Sequence, residues 1–205
     1  MGLYNKYLLP KLVHLTCGQR PVMRQRDKVV PLASGKVLEV GIGSGLNLPY
    51  YDPAQVTGLW GLEPAPEMTH MAREAARSVD FEVEFIHQPA EEIPLETGAV
   101  DSIVITYTLC TIPDPAAAIS EMRRVLKSSG KLIFCEHGAA PDEQVRRWQD
   151  RVDPIWKRLA GGCHLNRRIP QIIEQGGFRI ETLETIYLPG WRPASFNYWG
   201  SAAPV

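Results

Sequence analysis

The sequence predicts an α/β fold, a mostly parallel sheet with helices on both faces and an antiparallel pair at its C-terminal end. Three observations predict it. Short apolar runs of strand length alternate with stretches of helical period along most of the chain. A glycine turn (Gly41, Gly43, Gly45) follows directly on the first of those runs. The last two runs are joined only by Pro189–Ala194, too few residues for a helical crossover, so they should pair antiparallel.

Taken in order, residues 3–16 and 21–33 read as helices, separated by Cys17-Gly18 and restarted by Pro21, which suits a first helical turn. KVLEV (36–40) is the first strand, VTGLWGLE (56–63) the second, FEVEFIH (81–87) the third and VDSIVITYT (100–108) the fourth. A helix begins at Pro66. Another is capped by Asp114, opened by Pro115, carries Ile119, Met122, Val125 and Leu126 on one face, and is expected to end at Gly130. KLIFCEH (131–137) is the fifth strand. A helical stretch over 141–160, split at Asp153 and Pro154, and a shorter helix near 168–175 precede the strands FRIETLETIYL and SFNYWGSA.

The 205 residues fit one domain without repeats, low-complexity tracts or linkers. It divides into an N-terminal helical cap (1–33), a core (34–137), a helical insertion (138–170) and a C-terminal helix with hairpin (171–205). A net charge of −1 gives no overall footprint for nucleic acid. Residues 1–30 carry Lys6, Lys11, Arg20, Arg24, Arg26 and Lys28 against Asp27, and this reads as a solvated helical face. No apolar run approaches the roughly 20 residues of a membrane helix, and no signal peptide is legible, so a cytoplasmic location is expected. Cys17, Cys110, Cys135 and Cys163 read as free thiols. Cys135 with His137 and Cys163 with His164 are close in sequence, but neither has recognisable ligand spacing, and no metal is expected.

The informative segment is VLEVGIGSGLNLPYY (37–51). A dinucleotide-binding loop of GxGxxG form would place its third glycine at position 46, which is Leu46. The pattern here is Glu39-x-Gly41-x-Gly43-x-Gly45, followed by Glu63 at the end of the second strand, where a carboxylate can accept from both hydroxyls of a ribose. A third segment, QPAEEIPLETGAVDSIVI (88–105), completes the set. These elements resemble the S-adenosylmethionine-dependent class I methyltransferases. VITYTLCTIPDP, EMRRVLKSSGKLIFCEH and DPIWKRLAGGCHLNRR further resemble the branch that includes mammalian alkyl-thiol S-methyltransferases.

The resemblance implies a Rossmann-like seven-stranded sheet and S-adenosylmethionine as methyl donor, with S-adenosylhomocysteine as product. It implies cofactor contacts from Glu39, Gly41, Gly43, Gly45, Asn47, Glu63, Pro64, Met68, Thr106 and Leu109. Glu91 or the Ala90 backbone would meet the adenine edge, since Pro89 stands where an aspartate is common. It also implies a soluble bacterial-type relative, because the apolar anchor of the mammalian proteins is replaced here by basic helices.

The acceptor should lie over the carboxyl ends of strands four and five. Tyr107, Trp148, Trp156 and Asn166 are candidates to line it. Val145, Trp148, Val152, Ile155, Trp156 and Leu159 recur at helical spacing and read mostly as core packing of a cap helix. His137 and His164 are candidates to take the acceptor's proton, or else structural histidines. Cys110 and Cys163 read as packing residues. Methylation of a small thiol is the leading expectation. O-, N- or C-methylation of a phenol, quinone precursor or amine, and a cofactor-binding module without chemistry, stand behind it. Neither a nucleic-acid partner nor an oligomeric state is indicated.

Overall fold

The computed structural model describes residues 8–205. Residues 3–7 of the first expected helix, Lys6 among them, lie outside that range. Two helices, α1 (Leu9–Cys17) and α2 (Arg20–Val29), lead into β1 (Gly35–Val40). Then follow β2 (Val56–Leu62), α3 (Pro66–Ala76), β3 (Val83–Ile86), β4 (Val100–Thr106), α4 (Pro115–Val125) and β5 (Leu126–His137). The chain continues through α5 (Glu143–Leu159), α6 (Ile169–Gln175), β6 (Phe178–Tyr187), the single turn α7 (Arg192–Ser195) and β7 (Phe196–Pro204).

The strands form one seven-stranded sheet in the order β3-β2-β1-β4-β5-β7-β6. β1 to β5 pair parallel, while β7 pairs antiparallel with both β5 and β6. The expected sheet and closing hairpin are therefore present. Order reverses between β1 and β4, and a crevice outside the carboxyl ends of strands at such a switch point is where open α/β sheets take ligands.

Strand alternation splits the core into two layers. Leu38, Ile103, Ile105, Leu132 and Phe134 face α4 and α6, whereas Val37, Val104, Ile133 and Cys135 face α2 and α3. α4 starts as read, with the Asp114 carboxylate accepting from Ala116 N and Ala117 N at 3.1 and 3.0 Å.

Its end differs from the expectation. The helix stops at Val125 and β5 begins at Leu126, so Gly130 lies inside a 12-residue strand. A Cβ there would meet the Leu126 side chain at 2.5 Å, so the glycine serves close packing within the sheet and is not a helix cap. α5 also departs: it runs unbroken through Pro154 over 17 residues. Its buried face is polar. Gln149 bonds Gly138 O, Pro193 O and Ala140 N, each at 2.9 Å, and Asp153 accepts from Leu165 N. Trp148, Ile155 and Leu159, expected in the core, are 57%, 64% and 61% exposed.

The basic N-terminal segment is not uniformly solvated either. Arg26 is 5% exposed, because α2 lies directly on the sheet and turns this side chain inward.

Candidate active site

The three glycines of the loop after β1 have three different duties. All sit at positive φ, where an L side chain is strained. A Cβ on Gly41 would strike the Thr108 side chain at 2.3 Å, and one on Gly45 would reach the Ala72 backbone of α3 at 3.0 Å. A Cβ on Gly43 would meet little, with Met68 Cε nearest at 3.5 Å. Gly43 thus faces open space, a cavity of about 140 Å³ lined also by Gly41, Glu63, Met68 and Thr106.

Glu63 closes that cavity from the end of β2. Its carboxylate accepts from Ala65 N at 3.1 Å and is also aimed at the Gly43 amide. Burial raises its pKa, while these two backbone amides pull the other way. A ribose diol needs such a fixed pair of acceptor oxygens, and the open face of Gly43 leaves room beside them. The residues present therefore fit S-adenosylmethionine.

Glu39 and Asn47 sit behind the loop. Asn47, fully buried, donates to Glu39 Oε1 at 2.9 Å and to Thr106 Oγ1 at 3.0 Å, and Tyr51 donates to Glu39 Oε2 at 2.8 Å. Arg26 reaches across from α2 to donate to Asn47 Oδ1 and Thr106 Oγ1. Burial pushes the Glu39 carboxyl up to about 7, against the opposing pull of Tyr51, Arg26 and Asn47. These groups hold the glycine loop in shape from below. Of the other expected cofactor contacts, Leu109 is fully buried and Ala90 lies in the core. Glu91 accepts from Asp114 N at 3.0 Å, Pro64 is exposed, and none of the four faces the cavity.

A second, larger cavity of about 460 Å³ opens next to the first. Val13, Cys17, Tyr107 and Thr111 line both. Tyr107 is the one non-glycine among the described residues with positive φ, at 54°, a conformation that concentrates at functional sites. Its backbone N bonds Cys135 O, its hydroxyl meets Cys135 Sγ at 3.5 Å, and the Arg26 guanidinium lies 5.1 Å from its ring centroid. α1 roofs both cavities, and His14 Nδ1 bonds Ser44 Oγ of the glycine loop at 2.8 Å.

The larger cavity is walled by Leu9, Leu12, Val22, Trp156 and Leu165, and among its described lining residues there is no Asp, Glu, Lys or Arg. At its floor the loop after β4, the end of β5 and the loop after α5 bring together Cys110, His137 and Cys163. Their sulfur and nitrogen atoms lie within 4.8 Å of one another. His137 Nε2 is 3.2 Å from Cys163 Sγ, and Trp156 Nε1 donates to the same sulfur at 3.3 Å. The hydrogen bond with Cys110, together with the His137 charge, holds the Cys163 thiol below the usual range in spite of burial, and it raises Cys110. Burial alone would lower His137, but the Cys163 sulfur outweighs it and its pKa is raised.

The candidates for acceptor chemistry therefore separate. His137, Tyr107 and Trp156 line the cavity. His164 does not: its ring pairs with Asp153 Oδ2 at 2.9 Å and its backbone N bonds Cys110 O, so it braces the loop. Trp148 stands two turns before Trp156, about 12 Å along the helix axis and in solvent. Asn166 donates to exposed Asp150 at 2.8 Å. Missed by sequence reasoning were Arg26, His14 and the Cys110–His137–Cys163 cluster. Its members are 27 and 26 positions apart, so no local spacing announces them.

Residues 38–134 match the methyltransferase domain family. The chain is 34% identical over 178 residues to the human thiol S-methyltransferase TMT1B, covering 83% of this chain and 72% of that protein. It is 32% identical over 177 residues to human TMT1A, covering 80% and 71%. Its fold is shared with a SAM-dependent methyltransferase from Methanosarcina mazei, at a TM-score of 0.66, 21% identity and coverage of 83% and 92%.

Proposed function

The chain belongs to the S-adenosylmethionine-dependent methyltransferases, and from that premise we propose that it methylates the sulfur of a small apolar thiol. The observation that carries the proposal is the shared wall of Val13, Cys17, Tyr107 and Thr111 between the two cavities. One cavity has the glycine loop and Glu63. The other is apolar, without a carboxylate among its described lining residues, and of a size that takes a small molecule. An amine acceptor would call for a carboxylate to hold its charge, and a polymer would call for an open groove. The relatives' action on thiols supports the same acceptor.

S-Adenosylmethionine supplies an activated methyl on a sulfonium. In this reading Glu63 fixes the ribose, the Gly43 face admits the donor, and Tyr107, which lines both cavities, borders the junction at which acceptor sulfur, methyl and leaving sulfur line up. Positioning of this kind is worth about 7–11 kcal/mol. A free thiol of pKa near 8.5 is a few per cent ionised at neutral pH, so exclusion of water and alignment carry most of the task. No helix among the described residues is long and apolar enough to cross a membrane.

The test is turnover of S-adenosylmethionine to S-adenosylhomocysteine with hydrosulfide and alkyl thiols beside phenols and amines. Thiols should turn over. A panel in which phenols or amines react and no thiol does would transfer the acceptor to oxygen or nitrogen.

A further inference from the structure

We propose that Cys110, Cys163 and His137 are the three protein ligands of a zinc site whose fourth position opens into the larger cavity. The second half of this inference, that the fourth position receives the acceptor sulfur, rests on the thiol reading above.

The geometry is close to what the ion requires. Tetrahedral zinc with Zn–S near 2.3 Å and Zn–N near 2.0–2.1 Å sets its ligand atoms about 3.6–3.8 Å apart. Here the three donor atoms already lie within 4.8 Å of one another, with Cys163 Sγ and His137 Nε2 at 3.2 Å. Closing the widest pair by up to about 1 Å would seat them. The backbones are pre-set, because His164 N bonds Cys110 O at 2.9 Å and so ties the two cysteine loops together. Gly161 and Gly162, at φ 63° and 90°, turn the chain so that Cys163 enters the cavity. Two thiolates and a neutral imidazole cancel the charge of a dication, as an apolar cavity demands.

The surroundings also fit a metal ligand set. Zinc-bound histidine donates its remaining N–H to a neighbour that fixes the ring. His137 Nδ1 and Asn197 Oδ1 are both buried and both lack a hydrogen-bond partner. The two residues stand directly opposite each other in the β5–β7 register, where Cβ atoms are about 4.5–5.5 Å apart. Zinc on Nε2 places the ring proton on Nδ1, and Asn197 Oδ1, across the strand pair, and Glu136 Oε2, on the adjoining residue, are buried acceptors without a partner. The ion thus makes Nδ1 a donor, the role that an unsatisfied buried oxygen across the strand pair calls for. Trp156 Nε1, donating to Cys163 Sγ, fills the same supporting role for the thiolate. Two sulfurs and one nitrogen with a free fourth place is the composition of a reactive zinc centre.

An acceptor thiol taking that place gives up its proton to solvent and is held as thiolate. Its sulfur then forms the new S–C bond while the sulfonium S–C bond breaks, its electron pair returning to the departing S-adenosylhomocysteine. The neutral thioether left behind is a poorer ligand and dissociates.

The experiment uses the full-length reduced protein, stripped with a chelator and dialysed against zinc, with cobalt(II) as a spectroscopic substitute. One zinc per chain and a thiolate-to-cobalt charge-transfer band are expected. Both should persist in Cys135→Ser, a buried thiol outside the cluster. Both should be lost in Cys163→Ser and in Cys110→Ser, and Asn197→Ala should weaken zinc about 10–100-fold. Circular dichroism establishes that each variant is folded. An added alkyl thiol should shift the cobalt spectrum.

Folded wild type that takes up no zinc overturns the proposal, and full-rate thiol methylation by stripped protein overturns its second half; both leave the thiol reading standing. Zinc bound by these residues, with no thiol methylated and no spectral response to thiols, upholds the site and sinks the thiol reading instead.

Discussion

Arg26 of α2 donates to the side-chain carbonyl of Asn47 at 2.7 Å, joining a helix outside the motif to the loop that carries it. The pair is buried, and Asn47 passes the connection on to Glu39 and Thr106. Arg26→Met removes the donor while keeping much of the volume. It should cost about 1.5–3 kcal/mol, because charge-assisted bonds are lost and Asn47 Oδ1 is left unpaired. Cofactor affinity should fall with it as the loop loosens. Denaturant unfolding and calorimetric titration read the two effects, and unchanged values for both would refute the bracing role.

Glu39 gives the fold a pH dependence of known sign. Its carboxyl is raised to about 7 in the folded chain, against about 4.3–4.5 unfolded. Between those values the native state binds the extra proton, so this group's stabilisation is full below the unfolded pKa and is lost as pH rises through about 7. Glu39→Gln cannot ionise. From pH 5 to pH 8 the wild type should therefore lose about 2–3 kcal/mol more stability than the variant. Parallel stability profiles for the two proteins would contradict the buried-acid assignment.

Glu63→Ala should weaken S-adenosylmethionine about 10–150-fold, the equivalent of roughly 1.5–3 kcal/mol of charge-assisted hydrogen bonding. The side chain is not part of the core, so the melting temperature without cofactor should hardly move. A folded variant that binds normally would show that the ribose is held elsewhere.

Gly43→Val should fold, carrying only the positive-φ strain common to all three glycines, and fail to bind the cofactor, since its side chain enters the cradle. Gly41→Val and Gly45→Val should lose stability first, because Thr108 and the α3 backbone stand in the way. Soluble expression and titration of the three variants together check the division. Normal binding by Gly43→Val would remove this loop from the site.

His164→Ala should cost about 0.5–1.5 kcal/mol by freeing the loop from Asp153. Its kcat/KM relative to wild type should be the same at pH 6.5 and pH 9. A deficit confined to the lower pH would restore His164 as a proton acceptor.

How much of this was legible follows from the range of each signal. The strand at 36–40, the glycine turn, the Glu63 carboxylate and the Asp114 cap are local patterns, and each appears where the sequence puts it. Strand period and turn chemistry act over a few residues, so the α/β class and the glycine turn with a carboxylate just past β2 were legible in the sequence alone. Helix boundaries slipped where tertiary packing overrode local rules: Gly130 was claimed by β5, and Pro154 was absorbed into α5.

Side chains that meet across the fold were decided only in three dimensions. An arginine in a basic segment looks solvated until α2 is laid on the sheet and Arg26 meets Asn47. His137 and His164 look alike as isolated histidines. The end of β5 turns one toward Cys163, while α5 presents Asp153 to the other. Cys110, His137 and Cys163 carry no mutual spacing, because two loops and a strand end converge on the carboxyl edge of one sheet. Composition and periodicity report what each segment buries; which buried groups face one another depends on strand order and helix placement, and those are properties of the assembled chain.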